Sequence, residues 1–145
     1  GAEKFNVPYT VTARRSEEEF ARVDEAIAMA AMYTANHLSV KAIIALTESG
    51  STPRWMSRVR SDIPIYALTP HEATSRRVTL YRGVYPVSFE IDASNPRSLY
   101  QEIFTKLLEN DSVKVGDLVI FTKGDLDGVT GSTNALKILP VTKAS

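Results

Sequence analysis

Polar and apolar positions along this chain follow two periods, and the periods alternate. Ala42-Ile43-Ile44-Ala45-Leu46 is an unbroken apolar run of strand length. That pattern predicts a strand buried on both faces, as in a parallel sheet. Upstream, Phe20, Val23, Ile27, Ala30, Thr34 and Leu38 recur at helical spacing and predict one apolar stripe along a long helix. Ser16 with Glu19 three residues later has capping-box spacing, so the helix is expected to start at Ser16. Residues 1–15 show no period, contain Pro8, and read as a linker or the tail of an upstream domain.

The alternation continues to the end of the chain. Thr52 is placed to cap a helix that has Pro53 at its first position and runs to about Ser61. Ile63 to Leu68 reads as a strand; Thr69 then caps a helix opened by Pro70 and closing near Tyr81. Val84 to Glu90 is a third strand, which Pro86 assigns to a sheet edge. Ser94 or Asn95 caps a helix carrying Leu99, Ile103 and Leu107 on one face and ending near Asn110. Gly116-Asp117 turns into a strand from Leu118 to Thr122, a Gly/Asp-rich loop covers Lys123 to Thr133, and a last strand runs from Ala135 to Val141. Strands alternating with helices predict an α/β fold. The expected form is a three-layer α/β/α sandwich around a five-stranded mixed sheet. The last strand, with no helix before it, should be antiparallel to its neighbour.

Composition narrows the function. The 145 residues suffice for one domain with a core, and 43% hydrophobic with 23% charged residues is ordinary for a globular chain. Formal net charge is zero, which argues against a general nucleic-acid or anionic-membrane binder. There is no cysteine, so disulfides, thiolate metal sites and a Cys nucleophile are excluded; this is compatible with a cytoplasmic protein. No apolar run reaches membrane-spanning length. Gly1-Ala2-Glu3-Lys4 carries no initiator Met, and the expectation is a fragment or processed chain.

The richest candidate site is Thr47-Glu48-Ser49-Gly50-Ser51-Thr52, a hydroxyl-rich, glycine-containing turn between a strand and a helix. Exposed amides and hydroxyls at a helix's positive end suit a phosphate. The competing reading is a plain helix cap, which Thr52 before Pro53 supplies without any ligand; both stand open on the residues alone. The turn lacks the Gly-Lys-Ser/Thr ending of a nucleotide P-loop. The loop from Lys123 to Thr133 could fold over the turn, with Lys123 adding charge and Gly131, Ser132 and Thr133 adding donors, or it could be a solvated hairpin loop. Asp125 and Asp127 fail the calcium-loop register at Val129 and Leu136. His37 and His71 lack metalloprotease spacing and read as structural or surface residues. Ser49 stands outside a nucleophile-elbow motif. The arginine pairs at 14–15 and 76–77, with Arg54 and Arg58, read as solvent-facing, and Trp55 reads as a packing residue. No constellation for bond-making chemistry is visible.

The order of motifs is nevertheless specific. Val23-Asp24-Glu25-Ala26-Ile27-Ala28-Met29-Ala30, Lys41 to Gly50, Pro64 to Thr69, Leu80-Tyr81-Arg82-Gly83-Val84, Gly116 to Ile120 and Gly131-Ser132-Thr133-Asn134 resemble, in sequence order, the C-terminal domain of pyruvate kinase. Ala28 to Tyr33 and Thr122 to Asp125 are most similar to the proteobacterial type activated by AMP and sugar monophosphates. The resemblance implies that residues 1–15 are the tail of an upstream barrel domain and 16–145 the regulatory domain. It implies a whole enzyme that moves a phosphoryl group from phosphoenolpyruvate to ADP with Mg²⁺ and K⁺, its catalytic residues lying in a (β/α)₈ barrel outside this chain. It further implies a cytoplasmic tetramer, an effector loop at Thr47, Ser49, Gly50, Ser51 and Thr52, and a flap around Gly131, Ser132 and Thr133. Glu48 and Ser51 stand where loops that hold fructose 1,6-bisphosphate often carry Lys or Arg. The expected effector is therefore a single-phosphate ligand such as ribose 5-phosphate, glucose 6-phosphate or AMP, with Lys123 as a compensating cation. A purely structural assembly module, its loop only a helix cap, is the alternative.

Overall fold

A computed structural model describes residues 19–90, 96–124 and 133–143. In chain order the elements are α1 (Val23–His37), β1 (Ala42–Leu46), α2 (Ser51–Ser57), β2 (Ile65–Thr69), α3 (Glu72–Val78), β3 (Val84–Ser88), α4 (Pro96–Glu109), β4 (Leu118–Gly124) and β5 (Thr133–Pro140). They form one sheet in the order β3-β2-β1-β4-β5. β1 pairs in parallel with β2 (Ile43 opposite Ile65) and with β4 (Ile43 opposite Ile120). β3 is parallel to β2, and β5 is antiparallel to β4. The α/β architecture with a five-stranded mixed sheet and an antiparallel last strand is as the pattern predicts.

Chirality explains the layers. β1→β2→β3 steps in one direction across the sheet, and right-handed crossovers place α2 and α3 on one face. β3→β4 steps back the other way, so α4 falls on the opposite face. The side chains agree. Ile43, Ala45 and Ile120 pack with Ala28, Ala31, Met32 and Ala35 of α1, Met56 of α2 and Val78 of α3. Ala42, Ile44, Val119 and Phe121 pack with Leu99, Ile103, Phe104 and Leu107 of α4. All five residues of β1 are buried, which is why the run 42–46 carries no polar position. Pro86 sits on edge strand β3, where its missing N–H removes little of the ladder.

Several expected boundaries are corrected. Glu19 to Arg22 are not helical: α1 begins at Val23 with Arg22 in extended conformation before it, and Ser16 lies outside the described residues. The expected stripe is the wrong face of that helix. Phe20 and Val23 are 55% and 61% exposed, and Leu38 is exposed, whereas Asp24, Ala28, Ala31, Met32 and Ala35 are buried. Alanine makes that contact because the helix lies close on the sheet, so residue size hid the true stripe. Thr52 is not the cap of α2. Gly50, in left-handed conformation, precedes it, with Ser51, Thr52 and Pro53 inside the first turn. α2 closes at Ser57, and α3 starts at Glu72 after Pro70 and His71, with Thr69 Oγ1 accepting from the His71 N–H at 3.2 Å in a turn. β2 begins at Ile65, β3 ends at Ser88, and α4 ends at Glu109; its expected caps Ser94 and Asn95 lie outside the described residues. β4 extends through Lys123 and Gly124, and β5 starts at Thr133, so the flap's two ends are strand rather than loop.

Leu107 is fully buried under the sheet while Leu80 is 82% exposed. Leu107→Ala should therefore lower unfolding free energy by about 2–5 kcal/mol, and Leu80→Ala should stay within about 0.5 kcal/mol of wild type. Urea denaturation of the two variants separates these values.

Candidate functional site

β1 and β4 are adjacent and parallel, with their C-terminal ends at the same edge of the sheet. The strand order reverses between them, which is where open α/β sheets collect ligands. The chain leaves β1 as Thr47-Glu48-Ser49-Gly50 and turns at once into α2. Gly50 has φ +86°, and a Cβ there would meet Val78 Cγ1 at 2.9 Å. Only glycine enters this turn without strain, because its backbone is pressed onto α3.

Among the described residues, the hydroxyls predicted for the site engage neighbours. Thr47 Oγ1, buried, accepts from the Gly50 N–H at 2.9 Å, and Ser49 Oγ accepts from the Ser51 N–H at 3.3 Å. The Ser51 hydroxyl donates to Asp24 Oδ2 at 2.8 Å. The Thr52 hydroxyl donates to Thr133 Oγ1 at 2.9 Å, both residues being buried. The structure thus brings together Thr47, Ser49, Gly50, Ser51, Thr52 and Thr133. Gly131 and Ser132 lie outside the described residues. Lys123 stands on β4 beside Ala135. Strand alternation sets it with Phe121 on the α4 side, whereas α2 packs on the other.

Residues outside the predicted set complete the surroundings. The Thr74 hydroxyl donates to the Glu48 carbonyl at 2.7 Å, and Arg77 Nη1 donates to the Ser49 carbonyl at 2.7 Å. Arg77 therefore does more than face solvent: it clamps the loop from α3. His71 Nε2 hydrogen-bonds to Glu48 Oε2, which places an imidazole beside the loop's carboxylate. Asp24 is completely buried at the start of α1 and is held by Arg22 as well as Ser51. Its sequence signal was present, an acid at the position that continues the Ala28, Ala31, Met32, Ala35 face. Thr122 carries the same kind of signal. It is a hydroxyl at an inward strand position, buried, with no hydrogen-bond partner among the described residues. His37 stacks on Tyr33 at 4.2 Å and donates from Nδ1 to the Tyr33 carbonyl, away from the loop. Trp55 packs against the core with Arg58 over its ring.

Among the described residues no three His, Cys, Asp or Glu side chains gather as a divalent cation requires. The Mg²⁺ implied by the resemblance finds no donor set in them. No helix of the described residues is long and apolar enough to cross a membrane.

Comparison with known proteins bears on the whole of this arrangement. The family profile "Pyruvate kinase, alpha/beta domain" matches residues 25–139, from the first turn of α1 through β5. The chain belongs to the pyruvate kinase alpha/beta domain family. It is 46% identical over 143 residues to pyruvate kinase II of Salmonella typhimurium, covering 97% of this chain and 29% of that protein. It is 43% identical over 142 residues to pyruvate kinase of Buchnera aphidicola subsp. Baizongia pistaciae, again with 97% and 29% coverage. Pyruvate kinase of Staphylococcus aureus is 42% identical over 113 residues, covering 78% of this chain and 19% of its own length. The chain thus spans less than a third of the length of these pyruvate kinases. The β1–α2 loop and the start of β5 fall within the profile match, and Asp24 stands one residue before it.

The Gly50 turn gives a direct test of the loop's rigidity. Gly50→Ala meets both a positive φ and the Val78 methyl, so it should lower stability by about 1–3 kcal/mol. The measurement is thermal or urea unfolding.

Proposed function

We propose that this chain is the regulatory, effector-binding and oligomerisation domain of a pyruvate kinase. The parent enzyme transfers a phosphoryl group from phosphoenolpyruvate to ADP in a separate barrel domain that uses Mg²⁺ and K⁺. On this reading residues 1–15 trail from that barrel, 16–145 form the domain, and the enzyme works as a cytoplasmic tetramer. The domain itself has no catalytic role and should show no phosphoryl transfer when assayed alone.

One observation carries the effector reading: the Thr52–Thr133 hydroxyl contact ties the first turn of α2, directly after the loop, to the strand that leaves the flap. A ligand seated on the loop would then also report to the flap segment. The donors are amides and hydroxyls, while Glu48 and Asp24 bring carboxylates close by. Such surroundings favour one phosphate over two, since each added anionic group meets the same carboxylates. Ribose 5-phosphate, glucose 6-phosphate and AMP fit that description. Effector binding would activate by holding the active arrangement more tightly, a coupling of about 1–3 kcal/mol.

A second reading has its own support. The Gly50 and Ser51 N–H groups and the hydroxyls of Thr47, Ser51 and Thr52 are already bonded within the chain. That is what a helix-entry turn in a purely structural assembly module would need. Titration distinguishes the two. On the effector reading the amide resonances of residues 47–52 move on addition of at least one of the three ligands. Ser49→Ala then weakens that ligand by about 1.5–3 kcal/mol, one hydrogen bond to a charged group. Silence from 47–52 with all three ligands would leave the assembly module standing.

A further inference from the structure

The first turn of α2 is tied on two sides, and the tie through Ser51 differs in kind from the one through Thr52. Thr52 meets another hydroxyl, on Thr133. Ser51 meets a carboxylate that is completely buried and whose other partners belong to the start of α1. Asp24 Oδ1 accepts from Arg22 Nε and from the Glu25 N–H, each at 2.9 Å, and Oδ2 accepts from Arg22 Nη2 at 2.9 Å. A serine hydroxyl owns one proton. While Ser51 gives it to Asp24, the oxygen offers only lone pairs to anything arriving at the loop, and lone pairs repel an oxyanion.

We propose that Asp24 is a positioning residue of the effector loop: it holds the Ser51 proton, so a bound oxyanion must compete with a buried carboxylate for the same donor. This deepens the effector reading and rests on it. Competition also gives the loop a mechanical connection. An anion that takes the Ser51 proton leaves Asp24 with Arg22 and the Glu25 amide alone, so occupancy of the loop is felt where the chain enters α1. Asp24 never touches the ligand in this scheme; it acts through Ser51.

Asp24→Asn reverses the donor pattern. An amide Nδ2 can donate to Ser51 Oγ, which turns the hydroxyl proton outward, and the carboxylate charge is gone. The experiment titrates wild type, D24N, S51A and D24N/S51A with ribose 5-phosphate, glucose 6-phosphate and AMP, following the amides of residues 47–52. D24N should bind the responding ligand roughly tenfold more tightly, the worth of about one charge-assisted hydrogen bond. In the S51A background the same change should gain less than about threefold, because the contested proton is absent. A second readout needs no variant. The side-chain carboxyl ¹³C resonance of Asp24 in the wild-type chain should shift at ligand saturation, while that of Asp117, at the other end of β4, stays still.

The outcomes separate the two claims. If wild type responds but D24N binds equally or more weakly, or the Asp24 carboxyl does not move at saturation, the role assigned to Asp24 is wrong and the effector loop survives. If neither wild type nor D24N responds to any of the three ligands, both claims fall together. A gain in D24N that persists undiminished in D24N/S51A would reduce Asp24 to a remote charge and also overturn the proposal.

Discussion

Everything in this domain depends on β1 being hydrogen-bonded along both edges and covered on both faces. Its neighbours are β2 and β4, and each of its five residues is buried. A strand in that position cannot shift its register without moving apolar side chains into the wrong layer. The loop that follows therefore starts from a fixed point in the middle of the sheet. It has only four residues in which to reach α2, and the Gly50 turn on Val78 closes that distance. Rigidity of the central strand thus becomes rigidity of the candidate site.

From that fixed point the loop is fastened outward to three elements. α3 holds its carbonyls through Thr74 and Arg77, α1 holds Ser51 through Asp24, and β5 holds Thr52 through Thr133. Two of the ties span 27 and 81 residues of sequence. The donors of the loop are consequently positioned by the tertiary fold rather than by the local turn alone. On the effector reading, a ligand bound there would act on a junction of elements, which is the physical requirement for passing on a signal.

How much of this was legible in the sequence differs by element. The apolar run 42–46 and the missing helix before β5 specify a doubly covered parallel strand and an antiparallel last one, because these follow from burial and connection length. The stripe 99, 103, 107 was readable since leucine and isoleucine mark the inner face of α4. α1 was misread because its inner face is alanine, which scores weakly, while Val23 on its outer side and Phe20 and Leu38 beyond its ends score strongly. The hydroxyls of 47–52 were legible as a group, but the cap was placed at Thr52 rather than Gly50. Proline at the third helical position is sterically as acceptable as at the first. Arg77 touches the loop only through folding, and no local spacing announces a contact of that range; Thr133 was expected as a flap donor, and Asp24 showed only as an acid on the buried face of α1.

The self-bonded state of the loop bears on which donors an oxyanion would use. A neutral hydrogen bond contributes about 0.5–1.5 kcal/mol, and one to a charged partner about 1.5–3 kcal/mol. Exchanging the Ser51 N–H from Ser49 for a phosphate oxygen would therefore gain on balance and free the Ser49 hydroxyl to donate as well, whereas the Gly50 N–H and its partner Thr47 are buried. The long 3.3 Å contact to Ser49 is the weakest of these and the easiest to give up. The Ser51 hydroxyl is different, since its present partner already carries charge, and its exchange is near neutral. On the effector reading, the internal bonds of this loop would rank its donors. The Ser51 amide and Ser49 come first, and the Ser51 hydroxyl is held back by the carboxylate behind it.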